Sequence, residues 1–164
     1  MATIEEYAER PRDERLKRLT RTADELAASI GGQSEEVLCR RPDAKRWAAK
    51  EVVCHLRDTE EVFAARIEQV LAMALEPTFV ISNPDRWAED RQYLANHVDQ
   101  ALAAFRRRRL DTLAMFGKLV PAEWEKAGIH PVLGRITVED FLAIMAAHDD
   151  THLDQLARAL EGRA

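Results

Sequence analysis

The chain has 164 residues, which suits one domain at a prior of about 150 residues each. At that size it buries roughly 70% of its unfolded surface, so one sizeable core is expected across residues 1–164. Hydrophobic residues at 46% argue against disorder, six glycines and six prolines are too few for a turn-rich β-sandwich, and a net charge of −5 removes the electrostatic footprint of a general nucleic-acid binder.

No stretch approaches the roughly 18 apolar residues of a membrane span. The start, Met1-Ala2-Thr3-Ile4-Glu5-Glu6, is acidic and lacks the basic and apolar parts of a signal peptide, so the cytoplasm is the expected compartment. Cys39 and Cys54 form no CxxC pair and are expected as free thiols.

Four long segments carry helical periodicity. The first follows Pro11, with Leu16, Leu19, Ala23, Leu26, Ala27 and Ile30 at steps of three and four, and Gly31-Gly32 close it. Ser34 can cap a short turn before Glu35 and Glu36. The second runs from near Trp47 to about Leu75, with Val52, His55, Leu56, Thr59, Phe63, Ile67 and Val70 on its stripe and Pro77 beyond its end. Residues 76–96 read as an extended connection with one short helix around Trp87 to Tyr93. The third helix is expected from Asn96, capped with Asp99, and closed by Pro121. Residues 121–136, with Pro121, Gly128, Pro131 and Gly134, form a second connection. The fourth helix opens at Thr137, with Asp140 in its first turn, and reaches about Leu160. Four amphipathic helices and no convincing strand predict an all-α four-helix bundle, with longer connections between helices two and three and between three and four. Simple up-down order does not follow from this pattern.

The five histidines carry the chemistry. His148 and His152, at i and i+4, share one helix face with Cβ atoms roughly 6 Å apart, so both imidazoles can reach one ion. His55 lies on the inward stripe of another helix and supplies a third nitrogen if helices two and four are neighbours. Three imidazoles around a divalent ion leave a coordination position open, as in catalytic zinc sites. Spacing alone leaves open that the three are satisfied core residues. His97 and His130, at a helix start and in a Pro/Gly loop, are expected at the surface.

Glu51, Asp58, Asp149, Asp150 and Asp154 flank these histidines. One of them could orient an imidazole through its second nitrogen. Helix geometry sets Asp149 about 100° and Asp150 about 200° from His148, so a solvated face is expected for all five. Cys54 adjoins His55 in sequence but points about 100° away, as a small core residue does. In Arg106-Arg107-Arg108-Arg109 only Arg109 falls near the inward stripe, where it could reach an anionic ligand; snorkelling is the expectation for the run. Trp47, Trp87 and Trp124 are expected to cover the bundle ends.

Trp47-Ala48-Ala49-Lys50-Glu51-Val52-Val53-Cys54-His55-Leu56 resembles the second-helix motif of the DinB-like (YfiT-like) metalloprotein superfamily. Tyr93 and Ala101-Leu102-Ala103-Ala104-Phe105 resemble its third-helix region. Trp124, Gly128-Ile129-His130-Pro131 and Gly134-Arg135-Ile136-Thr137 resemble the connection that precedes its last helix. His148-Asp149-Asp150-Thr151-His152-Leu153-Asp154-Gln155 is similar to its closing H-x-x-x-H motif with trailing glutamine. The resemblance covers roughly residues 45–160. It implies a four-helix bundle with a divalent metal (zinc, nickel or iron) on His55, His148 and His152, and often a homodimer. It also implies a metal-dependent enzyme acting on small molecules. One form is a thiol-dependent S-transferase using mycothiol, bacillithiol or glutathione, and other members are related to mycothiol-dependent isomerases. No catalytic acid or base is assigned by the motif, and the family's DNA-damage label implies neither polymerase activity nor DNA binding. A metal-dependent hydrolase is the alternative within the enzyme class. A non-catalytic, stress-related binding or dimerisation bundle is the alternative outside it. Ala48 departs from the serine or threonine usual after the tryptophan. A missing cap weakens a helix start by about 1 kcal/mol, and Asp43 is the substitute cap for an earlier start.

Overall fold

A computed structural model describes residues 3–164. The elements in chain order are α1 (Ile4–Ala8), α2 (Arg12–Ile30), α3 (Glu35–Cys39), α4 (Ala49–Ala72), α5 (Pro84–Asp90), a 3-10 turn at Tyr93–Ala95, α6 (Val98–Phe116), α7 (Pro121–Trp124), β1 (Ala127–His130), β2 (Gly134–Thr137) and α8 (Val138–Leu160).

The bundle is formed by α2, α4, α6 and α8. Both α2 and α4 pack against α6 and α8, so the consecutive long helices α2 and α4 sit on a diagonal. Residue pairs set the directions. Arg12 and Arg15 meet Glu139 while Thr22 meets Asp149, so α2 and α8 run parallel. Lys50 reaches Leu94 while Arg108 reaches Glu61, so α4 and α6 are parallel too. Leu19 bonds Arg109 and Asp24 bonds Arg106, which makes α2 and α6 antiparallel. Parallel neighbours cannot be joined by a tight turn. The connection 73–97 must return along a helix of 24 residues, about 36 Å, which explains its length.

Several boundaries follow the sequence pattern. Pro11 precedes α2 and Gly31 ends it, while Ser34 accepts the Val37 amide to cap α3. Thr137 and Asp140 form a reciprocal capping box that opens α8.

Other expectations are corrected. The third long helix starts at Val98 after an uncapped His97 and stops at Phe116, well before Pro121. The Asn96 side chain is spent elsewhere, its amide donating to the carbonyls of Arg91 and Gln92. α4 starts at Ala49 despite lacking a capping hydroxyl, because Glu51 accepts the Ala48 amide at 2.9 Å. Asp43 accepts the Lys45 amide and caps no earlier start.

The segment before α8 holds a strand pair that periodicity did not predict. β1 and β2 pair antiparallel from Ala127↔Thr137 to His130↔Gly134. The preceding loop supplies support from outside: Phe79 donates to the Ile129 carbonyl at 2.9 Å, and Ile129 donates back to Pro77 at 2.7 Å. Gly128 is required there, since a Cβ would lie 2.2 Å from Phe79 Cζ.

Two apolar clusters fill the bundle. One gathers Ile67, Phe79, Phe116, Trp124, Phe141 and Met145; the other gathers Leu26, Val52, Tyr93, Phe105 and Leu156. Neither cluster contains the polar groups Thr22, His55, Glu60, Arg109 and Asp149, which are all buried.

Candidate metal centre

α4 and α8 pack antiparallel, and this brings three histidines together. His55 projects from the first half of α4, His148 from the middle of α8 and His152 from its second half. One nitrogen of each lies within 4.8 Å of the others, and His55 Nε2 is 3.1 Å from His148 Nε2. His55 is buried, while His148 and His152 are partly open. The condition on which the third ligand rested, adjacency of helices two and four, is met.

The walls are aromatic. The Trp47 ring lies 4.7 Å from His55 and stacks at 17° near His152. Phe63 meets His148 edge-on at 5.4 Å. Taking imidazoles out of water penalises their charged form. Burial pushes the His55 pKa down to about 3, and the neighbouring His152 adds to this. Burial also drives His148 well below the usual range, helped by both other histidines and by Arg109. His152 is lowered by burial, which outweighs its bond to Gln155. The three rings are therefore neutral near pH 7, the state that ligates metal.

Gln155 sets one tautomer. Its Oε1 lies 2.7 Å from His152 Nδ1, and an amide oxygen only accepts, so Nδ1 carries the proton and Nε2 keeps its lone pair. Thr59 Oγ1 lies 3.4 Å from His55 Nδ1 and 3.3 Å from its Nε2. The donor set fits a divalent ion: three neutral imidazoles, with no fourth His, Cys, Asp or Glu in the cluster among the described residues.

The flanking carboxylates correct the expectation of a solvated face. Asp149, Asp58 and Glu51 are buried, Asp150 is half-buried, and only Asp154 is exposed. None hydrogen-bonds a ring nitrogen; Gln155 fills that role. Asp149 binds the Arg109 guanidinium at 2.5 and 3.0 Å, with Glu60 of α4 at 2.8 Å, and Arg109 also donates to the Leu19 carbonyl of α2. Arg109 thus neither snorkels nor waits for a ligand; it ties the four long helices together. Burial alone would lower its pKa, and Asp149 with Glu60 outweighs that and raises it. Asp58 accepts from Arg57, Arg91 and the Tyr93 hydroxyl. Asp150 accepts from Tyr7 at 2.6 Å. Glu51 accepts from Arg41 at 2.8 Å.

Cys54 is buried in the core, where desolvation pushes its thiol up to about 11, so it is no nucleophile. Both cysteines are free. His97 is exposed; His130 is half-buried, its Nδ1 accepting from the amides of Val132 and Leu133. Trp124 is buried against Phe116, and Trp47 serves as a wall of the centre.

Residues 18–156 match the sequence pattern of the DinB superfamily. The chain belongs to that superfamily. A relative from Bacillus subtilis (strain 168), the uncharacterized protein YuaE, is 23% identical over 143 residues, covering 80% of this chain and 88% of that one. Among solved structures, YfiT from Bacillus subtilis matches with a TM-score of 0.84 at 18% identity, over 93% of this chain and 89% of its own. YfiT is described as a probable metal-dependent hydrolase with an unusual four-helix bundle topology. At that identity the likeness concerns the fold alone. Among the described residues, no helix of this DinB-superfamily chain is long and apolar enough to cross a membrane.

Proposed function

We propose that the chain is a metal-dependent enzyme acting on a small molecule, with the ion held by His55, His148 and His152. The observation that carries this reading is three neutral imidazoles gathered within 4.8 Å without a fourth protein ligand in the cluster. A divalent ion in such a site, zinc, nickel or iron, lowers the pKa of a bound water or thiol and polarises carbonyls. The chain's own part is to keep the rings unprotonated by burial, to fix His152 through Gln155, and to screen one side with Trp47 and another with Phe63. Cavities reach the centre at both partly open histidines. One of about 260 Å³ touches His152, and one of about 420 Å³ touches His148.

Hydrolysis is the reaction favoured by the description of YfiT. Thiol-dependent S-transfer with a low-molecular-weight thiol is the second reading, and one feature favours it. No carboxylate belongs to the cluster, and a thiol of ordinary pKa about 8.5 loses its proton more readily than water does. A cytoplasmic location and a homodimer belong to the same proposal; a solution mass near 18.7 kDa would remove the dimer.

The test is elemental analysis of protein purified without metal-chelating resin, beside His148→Ala. Wild type should hold about one divalent ion per chain and the variant should lose it. Equal and negligible content in both would end the metal reading. Cobalt substitution then separates the reactions: an added thiol produces a charge-transfer band only if it binds the ion.

A further inference from the structure

The cavity at His152 is lined by Lys45, Arg46, Trp47 and Gln155. A neighbouring cavity of about 210 Å³ shares Arg46, Trp47 and Gln155 and adds Arg158 and Arg163. The polar groups of this mouth have an unbalanced chemistry. Arg158 is paired with Asp154 at 2.9 Å, and Arg163 is paired with Glu161. Among the described residues no ion pair is formed by Lys45 or Arg46, whereas Arg41 and Lys50 on either side of them are paired with Glu51 and Glu35, and the protein as a whole is acidic. Lys45 and Arg46 are exposed, on a loop whose short backbone turns run through Asp43.

Hydrogen-bonding capacity points the same way. Gln155 spends its oxygen on His152, so the hydrogens of its amide nitrogen remain to donate. The Arg158 Nε is shielded from solvent and donates to no protein acceptor. A mouth with unpaired cations and unspent N–H groups attracts an acceptor that carries negative charge. The flat Trp47 ring beside these groups offers an apolar face to the rest of such a molecule.

We propose that this mouth selects anionic small molecules, carboxylates or phosphates, and that Lys45 and Arg46 hold the anion while its reactive part faces the three histidines. The role given to the histidines rests on the proposed metal-dependent activity; the anion binding does not. Guanidinium groups match carboxylate and phosphate oxygens in a planar fork, and lysine adds a point charge. Charge placed at a cleft mouth also raises the local concentration of its ligand, an effect that falls with ionic strength.

The test is calorimetric titration of zinc-loaded protein with benzoate and, separately, with inorganic phosphate. The proteins are wild type, Lys45→Ala/Arg46→Ala, and Lys118→Ala. Lys118 is an exposed residue just past α6, at the far end of the bundle, and serves as the charge control. Zinc content is measured in each sample. At least one anion should bind wild type, with Kd weakened about tenfold in the double variant and by added salt, and unchanged in the control. The tighter of the two names the anion class. No binding of either anion, or equal binding in the double variant at full zinc content, overturns the proposal. Absent zinc in every sample overturns the metal reading instead and leaves the binding comparison valid.

Discussion

Replacing Arg109 with methionine removes the cation that both Asp149 and Glu60 bind. Arg109 is 3% exposed and Asp149 and Glu60 are 1% exposed, so the variant leaves two buried carboxylates without their paired guanidinium, with Arg18 only a more distant charge on the Asp149 side. Five hydrogen bonds disappear, to Leu19, Thr22, Glu60 and twice to Asp149. Methionine fits the helix and much of the volume, so the loss is electrostatic in origin. Breaking a buried pair by removing one partner costs about 3–5 kcal/mol. At ~2–4 °C per kcal/mol for a chain of this size, the metal-free variant should melt roughly 6–20 °C below wild type. Urea unfolding at pH 7 followed by circular dichroism measures the free energy directly. The triple variant Arg109→Met/Glu60→Leu/Asp149→Leu carries no stranded charge and should recover most of the loss, since apolar groups often replace buried ion clusters without penalty. A single-variant loss under about 1 kcal/mol would mean that the carboxylates reach water, as exposed pairs do. A triple variant weaker than the single would show that packing, and not unpaired charge, dominates.

Three further outcomes follow from particular contacts. Gln155→Ala should weaken zinc affinity about 10–100-fold while Gln155→Glu, which keeps an acceptor oxygen, should not; equal affinity in all three proteins, by competition with a chromophoric chelator, would detach Gln155 from the ligand. Gly128→Ala drives a methyl group into the Phe79 ring and should destabilise by about 1–3 kcal/mol, with Phe79→Leu restoring part of it in the double variant; an unperturbed melting temperature would contradict the close approach. For Asp58, burial alone would raise the pKa, and Arg57, Tyr93 and Arg91 outweigh it to lower it. Its stabilisation is therefore full above the ordinary 3.8 and fades as pH falls through the lower folded-state value, so Asp58→Asn should flatten the acid limb of the stability curve; an unchanged limb would refute this.

The three-histidine cluster was legible because helical spacing is local. His148 and His152 need only one turn of α8, and His55 needs only its place on a stripe. The role of Arg109 was not, because four adjacent arginines look alike in sequence and its partners arrive from α2, α4 and α8. The same angle that turns Asp149 away from the His148 face turns it into that guanidinium. A rule that sends carboxylates to solvent fails where a buried cation is supplied from another helix. The strand pair was hidden for a related reason. Ala127–His130 has little strand character of its own and is held through Ile129 by Phe79 and Pro77, 50 and 52 residues earlier. Gln155 was visible as part of a motif, but its task needed the ring geometry.

The placement of α2 and α4 on a diagonal has a kinetic consequence. His55 and His148 are 93 residues apart, so their meeting closes a long loop, and only a fragment reaching from His55 to His152 contains all three histidines. Ordering such a loop carries an entropic cost that must be met before the contacts it allows are gained. The layer around Arg109 likewise forms only when the last long helix docks between α2 and α4. Ion capture should then be among the final events of refolding, and cobalt absorption would time the arrival of α8 without any engineered label.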